Sequence, residues 1–143
     1  MGAEAVGVPQ TEYLPLMDYA EILGLCFQIR DDVFDYFDSE NIGKPTGNDL
    51  REGKVTLPLL HALTVAPEDL ALEMKQSLLS ADISEADIAL LVSFAKKYDG
   101  IDYAFSKMRQ MEREAIALLD VYPDSKWKSA FISLFDYIIS RDK

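Results

Sequence analysis

Three carboxylates and one amide lie close together in the sequence, at Gln28, Asp31, Asp32 and Asp35. An α-helix turns by about 100° per residue, so these four side chains share about a quarter of its circumference. Apolar residues of 22–34 occupy most of the remaining perimeter. Neighbouring carboxylates repel one another unless a cation joins them, and oxygen ligands with no His or Cys beside them suit Mg²⁺. The pattern therefore predicts a magnesium site.

The alternative for these residues is a solvent-exposed acidic stripe on an amphipathic helix, which is the commoner arrangement of such charges. The apolar perimeter weakens this alternative, because a helix that is apolar on most sides is usually buried. We therefore expect the acids to face a polar cavity inside a helical bundle.

Two Gly-Lys pairs follow the acids, Gly43-Lys44 and Gly53-Lys54. Glycine lets the backbone approach a ligand closely, and a lysine ammonium offers a point charge to phosphate. Either lysine alone is better explained as an ordinary surface residue of a loop. The spacing differs from that of a P-loop, and no strand precedes the first pair. Together with the carboxylates, the two pairs predict a diphosphate bridged by Mg²⁺.

The elements that position these residues are predicted to be helices, because no segment alternates with the two-residue period of a strand. A long helix is predicted from Thr11 to about Asp38, followed by a loop over 39–53. Further helices, which begin at capping or proline signals, are predicted over 56–63, 67–80, 84–100, 102–121 and 125–140. We therefore expect an all-α protein with a single domain over 1–143.

The formal net charge is −11, which argues against nucleic acid and anionic membranes as partners. An anionic small molecule stays compatible, because bridging Mg²⁺ inverts the local charge. The single cysteine, Cys26, is interpreted as a small core residue of a reduced, cytoplasmic protein. No apolar run reaches about 18 residues, so no transmembrane segment is predicted.

Three segments together resemble the second aspartate-rich region of the trans-isoprenyl diphosphate synthases, the polyprenyl synthetase family. They are GLCFQIRDDVFD (24–35), GKPTGND (43–49) and GKVTLP (53–58), and the bacterial medium- and long-chain type, such as octaprenyl diphosphate synthase, is the most similar. The resemblance implies an isoprenoid-synthase-type helical bundle and a prenyltransferase. In that family an allylic diphosphate ionises while Mg²⁺ holds its diphosphate. The allylic cation then alkylates isopentenyl diphosphate, and a proton is lost.

The resemblance also implies roles for individual residues. Mg²⁺ would be held directly by Asp31, and directly or through water by Asp32 and Asp35. The substrate-binding residues would be Gln28, beside the reacting carbons, and Lys44 and Lys54, on the allylic diphosphate. Asp49 would orient or neutralise charge around the loop. The residues that take part in catalysis would be Gln28, Asp31, Lys44 and Lys54.

Members of that family are longer and carry an earlier aspartate-rich motif, which is missing from these 143 residues. The sequence is therefore expected to correspond to the C-terminal half of a synthase, with the N-terminal half absent, and to be inactive by itself. Exposed apolar helix faces would then be covered by self-association into a homo-oligomer or by the missing half.

Two other functions stay open. One is a non-catalytic partner or regulatory subunit of a prenyl diphosphate synthase, although such a subunit would not need to keep the acids and lysines. The other is a fragment of a terpene cyclase, which is less favoured because the second metal motif of cyclases usually mixes Asn, Ser or Thr with acids. Outside the candidate site, His61 and the aromatic residues Trp127, Phe131 and Phe135 are interpreted as packing residues.

Overall fold

The computed structural model describes residues 2–37, 46–80 and 83–140. Within these ranges the structure contains helices and no strands, so the predicted all-α class is confirmed. The helices are α1 (Gly2–Ala5), α2 (Gln10–Phe34), α3 (Asn48–Arg51), α4 (Leu57–Val65), α5 (Glu68–Leu78), α6 (Glu85–Lys97), α7 (Gly100–Leu118), which a 3₁₀ turn at Leu119–Val121 follows, and α8 (Lys126–Ser140).

The long helix α2 ends earlier than the apolar period predicts. Regular helix stops at Phe34, and the N–H groups of Asp35, Tyr36 and Phe37 each donate to the carbonyl three residues before them. These shorter bonds tighten the last turn and redirect the chain. The predicted end at Asp38 is therefore wrong, and Asp38 itself lies outside the described residues.

The predicted loop over 39–53 contains a one-turn helix, α3. Gly47 precedes it with φ 78°, in the left-handed region that glycine enters without steric penalty. A side chain at this position would also collide with the core, because an added Cβ would lie 2.3 Å from Cγ2 of Ile88. The segment is rich in Gly, Pro, Asn and Asp, a composition that is typical of a loop. One helical turn is too short to show an apolar period, so the sequence did not predict α3.

Other helix starts follow the sequence signals. Thr56 is the N-cap of α4, with Pro58 in its first turn. Ser84 forms a capping box with Asp87: its Oγ accepts the Asp87 N–H, and the Asp87 carboxylate accepts the Ser84 N–H at 3.0 Å. The reciprocal bonds satisfy two N–H groups that a helix start otherwise leaves without partners.

Replacing Ser84 with alanine is expected to destabilise the protein by about 1 kcal/mol, because the Asp87 N–H loses its acceptor. The measurement is the midpoint of urea unfolding. Ser93→Ala, at an exposed position in the middle of the same helix, is the matched control and should leave the midpoint unchanged or slightly raised. Equal midpoints for Ser84→Ala and the wild type would contradict the role of the cap.

One compact unit comprises Ile29–Ser106. In it α4 packs against α6 and α5, and the buried hydroxyls of Tyr36 and Thr56 are joined by a hydrogen bond of 2.9 Å. The core of this unit contains ten buried side chains: Tyr36, Leu50, Leu59, Ala62, Met74, Ile88, Leu91, Val92, Phe94 and Ala95. Because Tyr36 and Leu50 belong to this core, the residues just after α2 and the helix α3 pack against it.

The described residues up to Gln28 and from Lys107 onward form a second compact unit. The hydroxyl of Tyr19 donates to the Phe131 carbonyl at 2.6 Å, and its ring meets those of Phe131 and Phe135 edge to face. Cys26 is fully buried, its thiol lies 3.7 Å from the Met108 carbonyl, and burial raises its pKa to about 11. The interpretation of Cys26 as a core residue is confirmed.

Large apolar side chains remain exposed on α2 and α8 of this second unit. On α8 the side chains of Trp127 and Tyr137 are 67% and 66% exposed, so the interpretation of Trp127 as a packing residue is wrong for the described chain. On α2, Leu25 and Phe27 are nearly half exposed, which contradicts the predicted burial of the apolar perimeter. The expectation that apolar helix faces are exposed is confirmed. In the described ranges no helix is both long enough and apolar enough to cross a bilayer.

Candidate metal and diphosphate site

The acidic cluster centres on Asp32, which is half-buried in the last turn of α2, next to the exposed Asp31. Desolvation raises the pKa of Asp32, and the negative charges of Asp49, Asp31 and Asp35 raise it further, against an opposing effect of Lys54. Among the described residues, the positive charge of Lys54 does not offset the effects that raise the Asp32 pKa. A bound cation would supply additional positive charge.

Asp31, Asp32 and Asp35 do not form a preformed group of three ligands in the described residues, and their predicted roles toward Mg²⁺ stay predictions. Across the part of the chain that the structure describes, no three His, Cys, Asp or Glu side chains gather closely enough to hold one metal ion. Mg²⁺ does not require such a cage, because it keeps several waters and is usually held by one or two carboxylates together with substrate phosphates. Asp31 and Asp32 are therefore compatible with Mg²⁺ that arrives with a diphosphate, and no geometry for three protein ligands is present within residues 2–37, 46–80 and 83–140.

The Asp35 carboxylate faces α3 instead. Its Oδ1 accepts the N–H of Asn48 at 3.0 Å, and its Oδ2 accepts the N–H of Asp49 at 3.0 Å. The Asp35 carbonyl accepts the Gly47 N–H at 2.9 Å. This arrangement follows from the early end of α2, because Asp35 lies beyond the last helical residue and departs from the angular position that a continuous helix would give it.

Lys54 lies beside the acidic cluster. Its Nζ is 2.6 Å from a carboxylate oxygen of Glu52 and 3.6 Å from Oδ1 of Asp49, and more than half of its side chain is exposed. The hydrogen bond that the Lys54 ammonium donates to the Glu52 carboxylate is the main cause that raises the pKa of Lys54. The structure thus places one predicted diphosphate ligand near Asp32, where an exposed ammonium is accessible to an anion.

The remaining two predicted site residues are Lys44 and Gln28. Lys44 lies outside the described residues. Gln28 is exposed on α2 and is the last residue of the other compact unit. Their predicted roles stay predictions.

Sequence analysis did not predict the contacts that Arg51 of α3 makes with residues outside this helix. The Arg51 guanidinium pairs through two nitrogens with the Glu85 carboxylate, and it donates to the Thr46 carbonyl at 2.7 Å and to Oδ1 of Asn48 at 3.3 Å. Thr46, Arg51 and Glu85, with Lys96, line part of an open cleft of about 310 Å³. Arg51 and Glu85 are 34 positions apart, so no local pattern signals the pair.

His61 stacks on Tyr103, with ring centroids 3.9 Å apart and planes within 5° of parallel. Both side chains are half-buried. This contact confirms the interpretation of His61 as a boundary packing residue.

Comparisons with known proteins agree with the sequence motifs. A sequence model of a family described as "Polyprenyl synthetase" matches residues 1–94. The octaprenyl diphosphate synthase of Haemophilus influenzae is 32% identical over 141 residues, an alignment that covers 98% of this chain and 43% of the relative. Heptaprenyl diphosphate synthase component 2 of Geobacillus stearothermophilus is 32% identical over 143 residues, with 99% and 43% covered. The chain therefore spans less than half the length of both relatives.

A solved structure shows the same similarity. The polyprenyl synthase of Caulobacter crescentus, crystallised with calcium and isoprenyl diphosphate, superposes with a TM-score of 0.84 at 33% identity. The match covers 98% of this chain and 43% of that one. A divalent cation and a prenyl diphosphate thus accompany this fold in a related protein.

Proposed function

Because the chain belongs to the polyprenyl synthetase family, we propose that it forms the Mg²⁺- and diphosphate-binding part of a prenyltransferase. The whole enzyme would condense isopentenyl diphosphate with an allylic diphosphate to give a polyprenyl diphosphate. The observation that carries the proposal is the position of Asp32, half-buried among acids with Lys54 nearby. Such a carboxylate is suited to a divalent cation, and the lysine is suited to the anion that the cation bridges.

In this proposal Asp31 and Asp32 hold the cation, and Lys54 contacts the diphosphate. When bound, Mg²⁺ supplies positive charge that neutralises the leaving diphosphate. The Lys54 ammonium acts in the same direction, because negative charge on the diphosphate grows as the carbon–oxygen bond breaks. Lys44 and Gln28 keep the roles that the family resemblance implies, as a second diphosphate contact and a polar, non-basic neighbour of the reacting carbons.

We further propose that these 143 residues do not catalyse prenyl transfer by themselves. They contain a single Asp-Asp-x-x-Asp motif, whereas the family resemblance implies two. The exposed apolar residues on α2 and α8 support pairing with a second copy or with another polypeptide, since such surfaces are usually covered. A relative named as a component of a synthase also favours a partner chain.

A role as a non-catalytic subunit is the second candidate, and the same relative's name is the observation that favours it. The acids around Asp32 and the adjacent Lys54 argue against it, because a structural subunit gains nothing from a repulsive carboxylate cluster. The family match does not favour a terpene cyclase.

Isothermal titration of the chain with inorganic diphosphate, with and without Mg²⁺, tests the proposal. Saturable binding that requires Mg²⁺ is the expected result, and its absence would refute the diphosphate site. A separate assay adds isopentenyl diphosphate and an allylic diphosphate. No turnover is expected from the chain alone, and rapid multiple turnover would refute the proposed inactivity.

Replacing Glu52 with glutamine is expected to strengthen Mg²⁺-dependent diphosphate binding by about two- to five-fold, because the Lys54 ammonium loses a competing ion pair of modest strength. The same titration measures it. Glu73→Gln, an exposed acid on α5, is the control for the change in net charge. Equal affinities for Glu52→Gln and Glu73→Gln would show that the Glu52–Lys54 pair does not limit binding.

A further inference from the structure

We infer that Asp35 is a positioning residue and not a Mg²⁺ ligand: its carboxylate fixes α3 and so places Asp49 and Lys54 next to Asp32. This inference rests on the proposed function, within which it separates the third aspartate of the motif from the first two. Asp31, Asp32 and Asp35 therefore divide into a metal-holding pair and a structural anchor.

The first step is the use of the carboxylate oxygens. Both Asp35 oxygens accept a backbone N–H at 3.0 Å, one from Asn48 and one from Asp49. Hydrogen bonds to an ionised acceptor are stronger than those between neutral groups. Each oxygen keeps a second lone pair, but the two bonds fix the carboxylate on α3, and a metal ion shared with Asp31 and Asp32 would have to be reached from that orientation. The lack of three converging acids in the described ranges agrees with this orientation.

The second step is the dependence of α3 on Asp35. One helical turn is not stable by itself, because nucleation is unfavourable. Its N-cap is Gly47, which has no side chain and provides no capping hydrogen bond. The first N–H groups of a helix lack acceptors inside the helix. In α3 the Asp35 carboxylate supplies these acceptors from another part of the chain. The Gly47 N–H donates to the Asp35 carbonyl, so three bonds join Asp35 to the start of α3.

The third step is what α3 positions. The Asp49 carbonyl accepts the Lys54 N–H at 2.8 Å, and the Leu50 carbonyl accepts the Gly53 N–H at 3.0 Å. Leu50 is buried in the core. These contacts fold the chain back so that the Lys54 ammonium lies 3.6 Å from Asp49. The position of Lys54 relative to Asp32 therefore depends on α3.

The fourth step is the opposite side of α3, which is held differently. Arg51 joins α3 to Glu85 at the start of α6, and this pair is accessible to solvent, where ion pairs contribute little. Because the Asp35 contacts are directed at backbone N–H groups, they restrain α3 more directly than the Arg51 pair does.

The test compares Asp35→Asn, Asp35→Ala and Asp32→Asn with the wild-type chain, using Glu73→Gln as a charge control. Amide hydrogen exchange of Asn48 and Asp49 is measured by NMR without metal. Isothermal titration with inorganic diphosphate is performed over a series of Mg²⁺ concentrations. The titrations give two quantities: the Mg²⁺ concentration at half-saturation, and the diphosphate affinity at saturating Mg²⁺. Circular dichroism at 222 nm confirms that each variant is helical.

A positioning role has a distinctive result. Asparagine keeps one acceptor oxygen and alanine keeps none, so exchange at Asn48 and Asp49 should be slowest in the wild type, intermediate in Asp35→Asn and fastest in Asp35→Ala. A change of about ten-fold or more is expected for alanine, as for the loss of hydrogen bonds to a charged group. Diphosphate affinity at saturating Mg²⁺ should fall in the same order. The half-saturating Mg²⁺ concentration should stay within about two-fold, because the proposed metal-holding pair, Asp31 and Asp32, is unchanged. Asp32→Asn should raise that Mg²⁺ concentration and leave amide exchange unchanged.

Two outcomes would overturn the inference in distinguishable ways. If Asp35→Asn and Asp32→Asn raise the half-saturating Mg²⁺ concentration equally and amide exchange at Asn48 and Asp49 does not change, Asp35 is a ligand and the proposed function stands. If the wild-type chain shows no Mg²⁺-dependent diphosphate binding, the proposed function fails, and with it the positioning of Lys54 for a diphosphate.

Discussion

Replacing Gly100 with alanine is expected to destabilise the unit Ile29–Ser106 by about 3 kcal/mol or more. A Cβ on Gly100 would lie 2.2 Å from the Pro58 carbonyl oxygen and 2.9 Å from the Ala95 carbonyl oxygen. Both neighbours are backbone atoms of α4 and α6, the pair of helices at the centre of this unit. Because backbone atoms cannot rotate away as a side chain can, α7 must separate from α4 to admit one methyl group.

The measurement is the urea midpoint, and Gly24→Ala is the matched control. Gly24 also lies in a helix, but an added Cβ there has no neighbour within 4 Å. Alanine is favoured over glycine inside helices, so Gly24→Ala should raise stability by about 0.5–1 kcal/mol. A lower urea midpoint for Gly100→Ala and a higher one for Gly24→Ala would show that close packing requires glycine at position 100. A wild-type midpoint for Gly100→Ala would contradict the close approach of α4 and α7.

The close packing at Gly100 illustrates which parts of the fold are predictable from sequence. Local signals worked: the Ser84 capping box and Pro58 in the first turn of α4 are visible in consecutive residues, and the structure confirms both. The contact between Gly100 and Pro58 joins residues far apart in the chain, and a glycine at the start of a helix has the same appearance whether or not another helix passes close to it.

The candidate site shows the same division. Asp31 and Asp32 are consecutive residues, so the effect of the Asp31 charge on Asp32 could be expected from the sequence. Asp35 was assigned to the same flank because the helix was expected to continue to about Asp38, and the early end at Phe34 changed its direction. Whether the last turn of a helix tightens depends on tertiary bonds, here the bond from Gly47 to Asp35, which periodicity does not encode.

Long-range ion pairs and exposed surfaces were the least predictable. Nothing in the sequence near Arg51 identifies Glu85 as its partner. Trp127 and Phe131 are four residues apart, as apolar residues on one side of a helix usually are. This spacing does not distinguish a side that packs inside the chain from one that is exposed. Periodicity tells which side of a helix is apolar and does not tell what covers it.

Asparagine at position 32 is expected to weaken Mg²⁺-dependent diphosphate binding by at least about ten-fold, because the loss of a ligand or of the group that holds a metal-bound water reduces metal affinity by such factors. The same change should stabilise the metal-free protein. Burial and the charges of Asp49 and Asp31 raise the pKa of Asp32, so its ionised form is less favourable in the folded chain than in the unfolded one. Asparagine has similar volume and no charge.

The sign of the stability effect depends on pH. A carboxylate whose pKa is raised on folding stabilises the folded state while it is protonated, and that contribution is lost as the pH rises through the raised pKa. The gain in the free energy of unfolding from Asp32→Asn should therefore be present at pH 7. It should vanish below about pH 4, where the wild-type side chain is protonated in both the folded and the unfolded state. The gain should not exceed about 1 kcal/mol, because Asp32 is partly exposed and solvent screens its neighbours.

Two measurements on Asp32→Asn separate a functional carboxylate from a structural one. Urea unfolding without metal, at pH 7 and near pH 3.5, measures stability, and titration with diphosphate over a series of Mg²⁺ concentrations measures binding. Glu73→Gln controls for the loss of one negative charge. If Asp32→Asn is more stable and binds Mg²⁺ and diphosphate more weakly, the Asp32 carboxylate contributes to ligand binding and destabilises the metal-free fold. Lower stability at pH 7 would show instead that Asp32 stabilises the folded chain, and an unchanged half-saturating Mg²⁺ concentration would remove Asp32 from the metal site.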